Sequence, residues 1–252
     1  MTVHHSFEIE ELRAAHRVEG MFRAPAEAWF GTRTLHRISG VVGVTPEIAS
    51  YEARRVANSE IPTFVYPNGG KHLTDPVGEG RSSIPELLFM ASNFAPWHGL
   101  DLLLESLAGT NAELVLHVVG EVNQPDVVRA MTDTRVKLHG SLGKDQIRLL
   151  ASRCWLAISS LALFRKRMQQ ACAMKVRDYL GMGLPVFGNY EEVLSGDFPY
   201  YVQGKPSITE ILGAANNFRN TERSVIAEAA QPQISKQLIL KSFYRQLGAS
   251  LP

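Results

Sequence analysis

Three short segments carry residues whose types and spacing could do chemistry. The first is Ser92-Asn93-Phe94-Ala95-Pro96-Trp97-His98-Gly99, which follows an apolar run and precedes a helical pattern beginning near Gly99. A helix N-terminus attracts phosphate through unpaired backbone N–H groups and its positive dipole end. Asn93 and His98 would add donors, His98 fully so when protonated. The alternative is a Pro-containing loop whose Trp97 packs on the core. The second segment is Leu138-His139-Gly140-Ser141, where His139 ends a strand pattern and Gly140 lets a flat ring approach the backbone. A strand-end histidine in a turn is the competing reading. The third runs from Leu163 to Pro185 and contains Gln170, Lys175 and Asp178. On a helix over 172–182, Lys175 and Asp178 share a face at i and i+3. Asp178 suits a ribose diol, because a carboxylate accepts two hydroxyl hydrogen bonds. Lys175, in the first turn, can neutralise phosphate. A surface salt bridge between the two explains the same pair.

Placing these segments requires a regular scaffold, and the sequence from Pro85 onward supplies one. Apolar runs at Leu87–Ala91, Glu113–Val119, Val136–Leu138, Trp155–Ser159 and Leu184–Phe187 read as strands. Helical spacing separates them at Leu100–Leu107, Pro125–Thr132, Gly143–Arg153 and Ala173–Leu180. This alternation predicts an α/β fold with a doubly wound, Rossmann-like parallel sheet, whose ligands bind at the carboxyl ends of the strands. His117 lies mid-strand in an apolar run and reads as a satisfied core residue. After Ile208 the pattern is helical, with an exposed tail from Gln231 to Pro252. Residues 1–80 are patchier, with a charged helix-like stretch around Glu8 to Glu19 and then a turn-rich middle. Thr45 caps a helix with Pro46 at its first position and Glu47 in its first turn, running to about Asn58. A strand over Ile61–Tyr66 ends in the turn Pro67-Asn68-Gly69-Gly70, and residues 71–83 read as a linker. The domain expectation is an N-terminal segment over 1–80, the principal domain over 81–230, and a C-terminal helix or tail over 231–252.

Composition narrows the function classes. A formal net charge of +1 over 252 residues gives no electrostatic footprint for nucleic acid. Arg165-Lys166-Arg167 is too short a basic run to supply one. No apolar stretch approaches the roughly 20 residues of a membrane span, and Met1–Glu11 lacks the pattern of a signal peptide. His4-His5 read as part of a loose terminus. Cys154 and Cys172 form no metal-ligand spacing, and a reducing cytoplasm is the expected location. No GxGxxG follows any strand, which disfavours a dinucleotide enzyme, and there is no Ser-His-Asp or P-loop pattern.

Taken together, "FMASNFAPWHGLDLLLESL", "LHVVGEV", "VKLHGSL" and "MKVRDYLGMGLPVFGN" occur in the order and spacing of family 4 retaining glycosyltransferases of the GT-B fold, and the chain resembles that family. Upstream, "GVVGVTPEIASYEARR" with "IPTFVYPNGG" resembles the close of the family's N-terminal domain. "SSLALFRKRMQQACAMKVRDYL" is similar to a bacterial branch acting in surface polysaccharide assembly. The likeness covers roughly residues 38–205 and implies a nucleoside diphosphate-sugar donor, UDP-sugar or similar, with neither cofactor nor metal. It implies that Ser92, Asn93 and His98 face the diphosphate with Lys175 in support. It sets Gly120, Glu121, His139, Gly140 and Ser141 around the base, Asp178 on the ribose and Gln170 on the donor sugar. On this reading Gln170, His98 and Lys175 are the catalytic candidates.

The sequence departs from the family pattern at both ends of the seven-residue spacer. Gln170 and Asp178 stand where two glutamates are usual, and Asn93 and His98 where Arg and Lys are common. Gln170 keeps hydrogen bonding but loses the charge that helps a cationic sugar transition state. An N-terminal acceptor domain would occupy on the order of 150–200 residues, and only about its last third fits before Gly80. Two functions follow as expectations. One is a glycosyltransferase whose missing wall comes from a partner chain or a second copy, with peripheral membrane contact open. The other is a non-catalytic nucleotide-sugar-binding module that partners a complete enzyme.

Overall fold

The computed structural model describes residues 1–15, 17–35, 37–56, 60–70 and 75–250. The N-terminal unit contains β1 (Thr2–His4), α1 (Glu8–Ala15), α2 (Arg17–Leu35), β2 (Val41–Gly43), α3 (Pro46–Arg55) and β3 (Thr63–Val65). Its three strands pair in parallel in the order β1-β2-β3. The capping expectation at Thr45 holds, since its side chain accepts from the Ile48 N–H at 3.0 Å with Pro46 in the first turn. The predicted helix end at Asn58 lies outside the described residues. Two expectations for this unit are overturned. The turn-rich middle is the 19-residue α2, which continues through Pro25 and buries Ala24 and Leu35; here packing overrides the weak helix propensity of Gly and Pro. His4 is no loose terminus either. It pairs with Gly43 in the sheet, and its carbonyl accepts the Val44 N–H at 3.1 Å.

The larger unit contains β4 (Glu86–Asn93), α4 (Leu100–Ala108), β5 (Val115–Glu121), α5 (Gln124–Met131), β6 (Val136–Leu138), α6 (Lys144–Arg153) and β7 (Leu156–Ile158). It continues with β8 (Gln170–Ala171), α7 (Met174–Gly181), β9 (Val186–Gly188), β10 (Glu191–Glu192), β11 (Tyr201–Gln203), α8 (Ile208–Asn217) and α9 (Arg223–Ile234). Six strands form one parallel sheet in the order β6-β5-β4-β7-β9-β11. Counted within the unit this is 3-2-1-4-5-6, so the topological switch point falls between β4 and β7.

Alternation along β4 explains the two layers. Leu87 and Phe89 face a core with Leu103 and Leu107 of α4 and Ile211 of α8, whereas Leu88 faces Val176 and Leu180 of α7 and Ile226 of α9. All are fully buried, and a side chain of this size contributes about 2 kcal/mol on burial. Of the predicted linker, residues 71–74 lie outside the described residues. The remainder packs on this unit through buried Val77 and the Ser82 carbonyl, which accepts the Trp155 indole N–H at 2.9 Å.

The tail expected to be exposed is helix α10 (Lys236–Ser250), running back to the first unit. Ile234 and Ile239 are buried, and Phe243 lies 4.9 Å from the Tyr66 ring. Gly70 and Ser235 form a bridge in which the Lys236 N–H donates to the Gly70 carbonyl at 3.0 Å. The apolar residues of this segment find their partner surface on β3, far away in sequence. No described helix is long and apolar enough to cross a membrane.

Candidate functional site

The carboxyl ends of β4 and β5 converge beside the switch point because Gly120 permits it. Gly120 has φ +123°, and a Cβ there would sit 1.6 Å from the Ala91 carbonyl oxygen. Its N–H donates to the Gly140 carbonyl at 2.7 Å, so the ends of β4, β5 and β6 are gathered together. After β4, a 3-10 turn over Pro96–His98 ends at Gly99, whose φ of +73° is in the left-handed region, and α4 begins. The Leu161 N–H donates to the His98 carbonyl at 2.9 Å, pinning this turn to the loop after β7. On the opposite wall, the Met90 N–H donates to the buried Tyr179 hydroxyl at 2.8 Å and holds α7 against β4.

Between these elements opens a cavity of about 940 Å³. Eight of the eleven residues singled out from sequence line it: Ser92, Asn93, His98, Gly120, Glu121, Ser141, Lys175 and Asp178. Trp97, Leu142, Ile147 and Met174 complete much of the wall. These last three were not anticipated, although Leu142 directly follows Ser141 and Ile147 lies in the first turn of α6 just beyond it.

The electrostatics centre on Lys175. Its Nζ is shielded from solvent and has no hydrogen-bond partner among the described residues. The nearest compensation is the Phe89 ring, with its centroid 5.7 Å away. Burial pulls its pKa down to about 7, since an uncompensated charge is unfavourable away from water. No ion pair joins Lys175 to Asp178 among the described residues, so the surface salt bridge does not explain this pair. Burial pushes Asp178 upward, opposed by the charge of Lys144.

His98 departs from expectation in its charge. Its Nδ1 accepts the Ala95 N–H at 3.0 Å, which leaves the proton on Nε2. Burial first, and then Lys175 and Lys166, lower its pKa to about 2. His98 therefore acts as a neutral Nε2–H donor rather than as a cation.

Three predicted site residues, Gln170, His139 and Gly140, do not line the cavity. Gln170 is engaged with Glu47 of the N-terminal unit. Its side-chain Oε1 accepts the Glu47 N–H at 3.0 Å, and its own N–H donates to the Glu47 carboxylate at 2.8 Å. The Gln169 N–H reaches the same carboxylate at 3.0 Å. No local pattern links residues 47 and 170. The ring of His139 turns toward His117 and away from the cavity, with 3.0 Å between its Nε2 and His117 Nδ1. Gly140 contributes its carbonyl to Gly120 and has φ +62° with open space around its Cα.

Beneath α7 lies a buried network that sequence reasoning missed. Arg177 pairs with Glu192, and its Nε donates to the Asn68 carbonyl at 3.2 Å. The Tyr190 hydroxyl donates to Glu192 Oε2 at 2.9 Å and lies 2.8 Å from Ser159 Oγ. This network fixes the base of the helix that presents Lys175 and Asp178. Among the described residues, Glu86, His117 and Cys154 are a group close enough to share a metal ion. They lie at the amino end of β4, the end opposite the cavity. Arg153 holds the carboxylate at 2.7 Å, and burial pushes the Cys154 thiol far up. That chemistry fits a hydrogen-bonded carboxylate beside a protonated thiol.

No protein-family model matches the sequence, and no curated protein matches it significantly. Solved structures share the fold. The lipopolysaccharide outer core galactosyltransferase WaaB, in its apo form, superposes with a TM-score of 0.64 at 12% identity, over 84% of this chain and 62% of WaaB. Anabaena HepE in complex with UDP and glucose gives 0.64 at 16% identity, over 98% of this chain and 71% of HepE. TarM gives 0.61 at 13%, over 88% of this chain and 45% of TarM. The chain thus has the α/β fold of GT-B glycosyltransferases and spans less than two thirds of WaaB.

Proposed function

We propose that this chain is the donor-binding half of a family 4 retaining glycosyltransferase, which holds a UDP-sugar in the cavity at the ends of β4 and β5. The observation that carries the reading is Lys175, a buried ammonium without a partner on the wall of the cavity, where this fold takes its ligands. A diphosphate supplies the missing anion. Lys175, the Nε2–H of His98 and the amide groups that open α7 then stabilise the charge that grows as the sugar–phosphate bond breaks, an electrostatic role worth several kcal/mol without a metal. Asp178, one turn further along α7, takes the ribose diol. Ser141 and the Gly120–Gly140 contact border the base. The acceptor wall would be completed by a partner chain or a second copy, and two buried free cysteines agree with a reducing cytoplasm. Surface polysaccharide or glycoconjugate synthesis is the pathway this reading favours.

One observation favours a second reading, a non-catalytic nucleotide-sugar-binding module. Gln170 is neutral and held by Glu47, so it offers the sugar no carboxylate. Thermal-shift titration with UDP and UDP-sugars, followed by measurement of UDP release, separates the two. The transferase reading expects a raised Tm and slow UDP release from one UDP-sugar. Binding without release from any donor, alone or with a candidate partner, leaves the module. A Tm unmoved by every nucleotide overturns both.

A further inference from the structure

A buried chain of hydrogen bonds crosses the sheet behind the cavity, and it begins at Glu86, the first residue of β4. Glu86 is 2% exposed. Its carboxylate accepts from Arg153 Nη2 at 2.7 Å and Nε at 3.1 Å, and lies 2.9 Å from His117 Nε2. Arg153 and His117 hold its pKa below the usual carboxylate range against the opposing effect of burial. An ionised carboxylate only accepts, so His117 donates from Nε2 and its Nδ1 carries the lone pair. His139 must then donate from Nε2 across the 3.0 Å contact. The chain therefore reads His139 to His117 to Glu86, with Arg153 closing it from the other side.

These partners occupy significant places in the fold. His139 precedes the loop that carries Ser141 and Leu142 into α6, and Arg153 is the last residue of α6. Glu86 thus grips both ends of the loop and helix that supply Ser141, Leu142 and Ile147 to the cavity. The same strand that begins at Glu86 ends at Met90–Asn93 on the facing wall. We infer that Glu86 and His117 are positioning residues that set the gap between these two walls, and so the fit of the nucleotide base, acting through His139. The inference rests on the proposed nucleotide site but is independent of whether sugar is transferred.

The test compares UDP with inorganic pyrophosphate, which lacks the base. In calorimetric titrations of the whole chain, His139→Phe and His117→Phe are expected to weaken UDP roughly tenfold, the effect of losing about one net hydrogen bond's worth of order, and to leave pyrophosphate within about twofold. His117→Gln, which can donate to Glu86 and accept from His139, is expected to restore part of the UDP affinity. His139 is half-exposed, so its variant is informative even where the His117 variant folds poorly. An unchanged ratio of UDP to pyrophosphate affinity in a folded His139→Phe overturns the inference while the nucleotide site stands. Failure of the unaltered chain to bind UDP overturns both.

Discussion

Replacing Lys175 by Met removes the buried ammonium while keeping an unbranched apolar stem, and its effect can be worked through. In the free chain, burial alone brings this lysine to about 7. At pH 6 about nine tenths of the chains carry the charge, and at pH 8 about one tenth. A diphosphate oxygen beside Nζ restores the charged form, so binding at or above neutral pH takes up a proton. The affinity for UDP-glucose, whose diphosphate charge is constant over this range, should fall about tenfold between pH 6 and pH 8, or about 1.4 kcal/mol. Calorimetry in two buffers of different ionisation enthalpy should count close to one proton taken up at pH 8. Lys175→Met should lose the pH dependence and bind about ten- to a hundredfold more weakly at pH 6, the range for a hydrogen bond to a charged group. Stability should move the other way. The folded-state pKa lies below the ordinary 10.5, so the unfolded chain binds more protons between about pH 7 and 10.5, and wild-type stability rises with pH across that window. The variant should lack that rise and melt higher than wild type below pH 7. Equal affinities at pH 6 and 8 with no proton uptake in the unaltered chain would refute the assignment of Lys175 to the diphosphate.

Three further variants test the geometry of the site. Asp178→Ala should weaken UDP by roughly 1–3 kcal/mol through loss of the ribose contacts while barely changing binding of pyrophosphate; titration of both ligands checks it. Gly120→Ala should destabilise the chain by about 3 kcal/mol or more in chemical denaturation, because its Cβ would meet the Ala91 carbonyl. Gly140→Ala, also at positive φ but with nothing nearby, should lose only about 1–2 kcal/mol.

What could be read in the sequence was local. The Thr45 cap, the short apolar runs and the i, i+3 pair of Lys175 and Asp178 each depend on neighbours within a turn or a strand, and each recurs in the structure. The proximity of the first and third segments followed from the strand alternation, which places strand ends on one edge of a parallel sheet. The pairings that decide charge state were out of reach. His98 is kept neutral first by burial in the folded chain and then by a lysine 77 positions later, and Gln170 is engaged because Glu47 lies 123 residues earlier. His139 looked like a strand-end residue open to a base, and only the register of β5 with β6 reveals that its ring meets His117. The docking of helix α10 was missed because the side chains it turns toward β3, buried Ile239 and half-buried Phe243, are too few to mark a core stripe without β3 beside them.

The bridge between Gly70 and Ser235 bears on how such a chain could be recombined. The surface of the first unit around Tyr66 is finished by a helix encoded at the other end of the sequence. An exchange of the leading 70 residues for a different module would strand Ile239 and Phe243 unless the incoming module brought a matching groove. Inheritance of the two units is therefore coupled, and a chimaera made by a single crossover near residue 75 keeps its trailing helix matched to a surface that has been replaced. A graft that respects this architecture needs two junctions, with the trailing helix travelling together with the leading unit.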